Sequence, residues 1–228
     1  MIKSENTSSP SLLKRIDELL IDHHSYLQAD DEIYYLGEYT NGKLADFSPM
    51  NRRILNYKKE LKRKGSSDWV YKGRAIKEVA DMFRLSILQT IKFPERITKA
   101  LLVPIPPHAV RDDPEHDDRN LQMLHYFMPN GKIHELVLQK ISREPSHKSK
   151  KRRNPKELEG NYFINPPAIN IEFSEIWLFD DVLRDGTHFR AAHSILSRSY
   201  PHVKIVGFFV ARSVHASEPL MTIDTPPF

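Results

Sequence analysis

The sequence predicts an α/β fold, a parallel sheet with helices on both faces, preceded by a helix-rich N-terminal part. Three observations carry this expectation. From about residue 96 onward, short apolar runs alternate with stretches of helical period, the rhythm of strand–helix–strand units. One of those runs, Ile176, Trp177, Leu178 and Phe179, leads through two acids and a loop with a single glycine into a helical pattern. Before residue 95 the apolar residues fall mostly at helical spacing. The expected division is 1–95 and 96–228.

In chain order, residues 11–27 place Leu12, Leu13, Ile16, Leu19 and Leu20 at helical spacing behind Ser11 as a cap, which predicts an amphipathic helix. His23 and His24 are adjacent on it, so they do not face one another and make a poor metal pair. Residues 33–39 predict a strand, and Thr40, Asn41 and Gly42 a turn after it. Residues 51–64 predict a basic helix that stops before Gly65. Residues 72–93 predict a long helix carrying Ile76, Val79, Ala80, Phe83, Ile87, Leu88 and Ile91, ended by Pro94.

The second part begins with a short buried strand at 100–105 and a helix at 118–127. Residues 135–141 predict the second core strand and 160–164 the third. Residues 176–179 form the fourth, 187–199 its helix, and 203–210 the last core strand. Sheets of this kind bind ligands at the carboxyl ends of their strands.

Composition narrows the chemistry. A hydrophobic share of 39% in 228 residues is enough for a core. The chain has no cysteine, which excludes disulfides, thiolate metal sites and cysteine nucleophiles and is compatible with the cytoplasm, the expected location. The apolar run at 205–211 is too short to span a bilayer, and the first ten residues lack the apolar core of a signal peptide, so no membrane partner is expected. The net charge is only +4, but it is segregated: bases concentrate in 52–77 and 148–153, acids in 112–118. Segregation suits an anionic ligand, although a solvated surface is the ordinary use of such blocks.

The segment around Asp180 and Asp181 is the most informative. An apolar run, two acids, the spacer Val182 and Leu183, and the loop Arg184, Asp185, Gly186, Thr187 and His188 feed a helix whose apolar face is Ala191, Ala192, Ile195 and Leu196. A loop that opens a helix points backbone N–H groups at whatever sits above it, which suits a phosphate. Paired carboxylates suit ribose hydroxyls or a magnesium-bound sugar phosphate. This layout resembles the signature of the type I phosphoribosyltransferases, nearest to ComF-like members and, in its Gly-Thr order, to orotate phosphoribosyltransferases. The motif covers under a tenth of the chain. The resemblance implies a Rossmann-like sheet of that kind.

The match has one departure. Family loops carry Thr or Ser before the glycine, where hydroxyls bind the 5′-phosphate; this chain has Arg184 and Asp185. A carboxylate there repels a phosphate. Either Asp185 caps the helix and fills the anion hole itself, or Arg184 offsets its charge and holds the phosphate from the side.

Other segments take their expected roles from the same resemblance. The loop after the first core strand grips pyrophosphate in the family; here it offers His108 and Arg111, unless it is only a Pro-rich turn. The acidic stretch 112–118 either helps hold a divalent ion or caps the next helix through Asp117 or Asp118. Lys148, Lys150, Lys151, Arg152 and Arg153 lie where the family has a mobile lid over the leaving pyrophosphate; nucleic-acid contact and a plain charged loop are the alternatives.

The implied function is binding of phosphoribosyl pyrophosphate or a related nucleotide, with magnesium carried by the pyrophosphate and no metal site of the protein's own. The phosphoribosyl group moves to or from a base through an oxocarbenium-like transition state. Asp180 and Asp181 hold the ribose hydroxyls, and Gly186, Thr187 and His188 cradle the phosphate. The base rests near residues 211–215, and the arrangement leaves room for a homodimer. A catalytic Asp181 predicts an Asn variant that loses activity with little loss of stability. Two other classes stay open: a degenerate nucleotide sensor, and a nucleic-acid-associated accessory protein. Phosphoribosyltransferase-like proteins of bacterial defence cassettes extend that range to effectors, by analogy alone.

Overall fold

A computed structural model of the chain describes residues 13–90, 93–144, 154–167 and 171–215. The elements are β1 (Lys14–Arg15), α1 (Glu18–Ile21), β2 (Glu32–Thr40), α2 (Pro49–Tyr57), α3 (Val70–Gln89), α4 (Phe93–Ile97), β3 (Ala100–Pro104), α5 (Arg119–Phe127), β4 (Val137–Gln139), α6 (Pro155–Asn161), β5 (Tyr162–Ile164), β6 (Glu175–Leu183), α7 (Thr187–Ser199) and β7 (Lys204–Val214). Five strands form one sheet in the order β1-β2-β7-β6-β3, parallel except at β1. The chain is thus an α/β protein with a mostly parallel sheet, compatible with a Rossmann-like fold.

Alternation along the buried strands sends side chains to two cores. Trp177, Phe179, Val206 and Phe208 face α2, α3, α4 and α5. Ile176, Leu178, Ile205 and Phe209 face Ile16, α1, α6 and α7. Phe208 is the hub of the first core: its ring lies 4.7 Å from Trp177, 5.1 Å from Phe179 and 5.5 Å from Tyr34. Arg96 ties the amino edge together, pairing with Glu32 of β2 at 2.6 Å and Glu175 of β6 at 2.8 Å.

The predicted strand at 33–39 is present, and it lies inside the sheet. β2 pairs with β7 from Glu32↔Val206 to Thr40↔Val214. Residues on both sides of position 95 therefore share one sheet and one core.

Several predicted elements differ. Residues 11–27 do not form one helix; 11 and 12 lie outside the described residues. Lys14 and Arg15 pair with β2, and the Asp17 carboxylate accepts the N–H groups of Leu19 and Leu20, so α1 begins only at Glu18. The helix expected over 51–64 ends at Tyr57. Its last carbonyls turn to a buried cation: Lys72 Nζ donates to Tyr57 O at 3.0 Å and Lys59 O at 2.9 Å. The helix over 72–93 stops at Gln89, and Pro94 lies instead in the first turn of α4, where its missing N–H costs nothing.

The expected second and third core strands are not in the main sheet. β4 and β5 pair with each other, antiparallel, from Val137↔Ile164 to Gln139↔Tyr162. Among the described residues, the edge of β3 is met at Ile133, through a single bridge to Leu102. Short apolar runs do not encode their partner, and here the nearest free edge was each other's.

Among the described residues, no helix is long and apolar enough to cross a membrane.

Candidate functional site

The predicted acids do not stand free at a strand end. β6 runs on through Leu183, paired to Arg212 of β7, so Asp180 and Asp181 are strand residues with only 9% and 5% of their surface exposed. Buried carboxylates need partners. Lys58, the C-cap of α2, donates from Nζ to Asp181 Oδ1 at 2.8 Å. Arg119, at the start of α5, donates to Oδ2 from Nε at 3.2 Å and Nη2 at 2.5 Å. Burial pushes the Asp181 pKa up, but the Lys58 and Arg119 charges outweigh it and hold the group well below the usual carboxylate range.

Arg119 also donates to Asp117 Oδ2 at 2.6 Å, and the same oxygen takes Lys72 Nζ at 2.8 Å. Burial raises the Asp117 pKa, the Arg119 and Lys72 charges lower it, and the net direction is down. Burial lowers that of Lys72 against the pull of Asp117. The result is a chain of alternating charges, Lys58, Asp181, Arg119, Asp117 and Lys72, across four elements and loops. A polar arm runs beside it. The Tyr57 hydroxyl donates to Asn120 Oδ1 at 2.9 Å, and Asn120 Nδ2 donates to Asp180 Oδ1 at 3.2 Å. His188 Nδ1 lies 3.5 Å from Asp180 Oδ2.

The loop before α7 is closed from inside. Asp185 Oδ1 accepts the Thr187 N–H at 3.0 Å and the Thr187 hydroxyl at 2.7 Å. These are the groups a phosphate would use, so Asp185 fills that place itself, although it does so from the position before the N-cap of α7, which is Gly186. Gly186 sits at φ +84°, and a Cβ there would lie 2.6 Å from Leu27 Cδ2. Leu27 belongs to a strap, residues 22–31, laid over the loop. His24 Nδ1 bonds to the Arg184 carbonyl, Tyr26 N–H donates to Asp185 O at 2.9 Å, and Arg190 Nε donates to Tyr26 O at 3.0 Å. An ion pair between Arg190 and Asp31 holds the far end. Arg184 turns away, donating to Asn41 Oδ1 at 3.2 Å.

The remaining predicted residues are dispersed. His108 faces Glu115 at 3.4 Å, and Arg111 pairs with Glu135; among the described residues neither bonds to Asp180 or Asp181. Lys148, Lys150, Lys151, Arg152 and Arg153 lie outside the described residues. The acidic stretch is spent locally: Asp113 accepts from Ser142 Oγ at 2.5 Å and from the Glu115 N–H at 2.8 Å, while Asp117 enters the network. Among the described residues no cluster of three or more metal-ligating side chains occurs. A divalent cation held by Asp181 and Asp117 does not fit, because Lys58, Arg119 and Lys72 already supply the positive charge there.

Sequence reasoning missed Lys58, Lys72, Arg119 and Tyr57 as partners of the acids. The signal was the charge segregation itself, which read as a preference for an anionic ligand. Part of that basic block neutralises the chain's own acids.

No protein-family model matches the sequence, and no curated protein matches it.

Proposed function

We propose that the protein is a catalytically degenerate, phosphoribosyltransferase-like accessory protein. It keeps a strand–acid–loop–helix frame like that family's but spends both acids and the anion loop on its own structure. It acts by binding, and phosphoribosyl transfer is not its activity. The observation that carries this reading is the Asp185 carboxylate on the Thr187 N–H and hydroxyl. A sugar phosphate must displace a covalently tethered anion from the start of α7, and the strap with Leu27 as well. The engagement of Asp181 by Lys58 and Arg119 supports the same reading, because a ribose would have to compete with three charge-assisted bonds.

The test is pyrophosphate release from phosphoribosyl pyrophosphate with magnesium and a panel of bases. The expected release equals the protein-free rate, and calorimetry with ribose 5-phosphate shows binding only after Asp185→Thr. Release by the natural sequence that Asp181→Asn abolishes would overturn the reading and favour transfer chemistry, with strap and Asp185 moving aside.

A further inference from the structure

We propose that the face built by α2 and the N-terminal half of α3 binds single-stranded nucleic acid, stacking a base on Tyr71 and holding phosphates with Arg52, Arg53 and Arg74. The proposal names a partner for the accessory role proposed above and rests on that role for its biological meaning. Its residues, however, are none of those in the β6–α7 passage.

The charge comes first. Residues 52–77 hold ten Lys and Arg against two acids, an excess twice the net +4 of the whole chain, so the rest of the protein is net acidic. Part of this block is used internally, as Lys58 and Lys72 show. Lys59 and Arg63 share Asp68 at 3.0 and 2.7 Å. Arg52, Lys64, Arg74 and Lys77 are exposed and have no carboxylate partner among the described residues. A stripe of unneutralised cations on an otherwise acidic protein selects a polyanion.

Shape is the second observation. Positions 49, 52, 53 and 56 of α2 and 71, 74, 75 and 78 of α3 each form one helical face. The two faces meet around an open groove of about 320 Å³. Arg52, Arg53, Asn56, Arg74 and Ala75 line it, together with one acid, Glu78. Arg53 is steadied by Glu78 at 3.2 Å. This volume lies at the low end for ligand sites, suited to one nucleotide unit at a time.

The third observation separates nucleic acid from other polyanions. Tyr71, at the rim, is 47% exposed. Arg74 lies 5.5 Å and Lys59 5.4 Å from its ring centre. One turn further along, Lys77 sits 5.2 Å from the ring of Tyr126, itself 45% exposed. Two exposed tyrosines, one with two cations over its ring and the other with one, offer stacking surface beside a phosphate track. A duplex hides its base faces, so rings used this way need an unpaired strand.

The experiment is fluorescence anisotropy of the full chain with labelled single-stranded DNA and RNA oligomers, at a series of salt concentrations. A duplex and a mononucleotide serve as comparators, and pyrophosphate release is read in the same samples. Tight binding is expected for the single strands, with a slope against log salt that shrinks by about 0.7 for each of Arg52→Ala and Arg74→Ala. Tyr71→Ala is expected to weaken binding about tenfold or more. Arg74 and Tyr71 are exposed, and circular dichroism of each variant establishes that it is folded. Binding no tighter than to a mononucleotide, a preference for duplex, or affinities unmoved by these substitutions would overturn the proposal. Oligomer binding together with pyrophosphate release would leave this inference standing and remove the degenerate reading; neither signal would do the reverse.

Discussion

Lys58 and Asp181 are 123 residues apart in sequence and 2.8 Å apart in the fold. One ends a helix of the N-terminal half, and the other sits in β6, the fourth strand of the sheet. Their contact joins the basic block to the acidic motif, and with Arg119 it removes the motif's second carboxylate from the solvent. An acid pair that the motif offers to a ligand is thereby a structural centre.

Gly186 is expected to tolerate no side chain. Its φ of +84° costs a non-glycine residue about 1–3 kcal/mol, and a Cβ would also meet Leu27 at 2.6 Å. Gly186→Ala is expected to lower the urea unfolding free energy by more than the backbone cost alone. Adding Leu27→Ala should recover the contact part and leave the backbone part. Equal losses with and without Leu27 would show that the strap does not press on the loop.

How much of this was legible in the sequence depends on how local the information is. β6, the Gly186 turn and α7 were readable because strand pattern, glycine and helical period lie within one short stretch. So was the option that Asp185 fills the loop itself, a contact two residues long, although the cap position proper belongs to Gly186. The antiparallel partnership of β4 with β5 was not, because three-residue strands fit either sheet. The strap was hidden because the helical spacing of Leu13, Ile16 and Leu20 runs on through an edge strand, the Asp17 cap and one helical turn, and so predicts a helix where the chain leaves it after Ile21. The partners of Asp181 were out of reach for the same reason: charge block and acid pair were both visible, but not which of them faces the other.

The strap should loosen as pH falls. His24 is 2% exposed, and burial, helped by Arg212 and His23, lowers its pKa against the opposing Arg184 carbonyl and Asp185. A histidine depressed in the fold binds its proton more readily when released. Its stabilisation is present above the unfolded value of about 6.5 and is lost as pH falls through and below it. The protection factor of the Tyr26 amide, which donates to Asp185 O, should drop between about pH 7 and 5. A flat protection factor, or the same drop in His24→Phe, would contradict this.

Acid should attack the ion network in a lower window. Asp117 and Asp181 are both depressed, so their stabilisation is complete above the unfolded aspartate value of about 3.9 and drains as pH falls below it. Urea midpoints should be insensitive to these groups above about pH 5 and fall steeply below about pH 4. In Asp117→Asn the fall should be shallower. An unchanged slope would mean that the carboxylate does not titrate with folding.

The most direct measurement is the unfolding free energy of Asp181→Asn at neutral pH, taken alongside calorimetry with phosphoribosyl pyrophosphate and magnesium. Removing the Asp181 charge leaves Arg119 with Asp117 alone and Lys58 without its carboxylate, so a loss of about 2–4 kcal/mol is expected, less than for a fully buried isolated pair, with no ligand binding by either protein. A loss under about 1 kcal/mol, together with binding by the natural sequence that the variant abolishes, would mean that Asp181 is kept for a ligand.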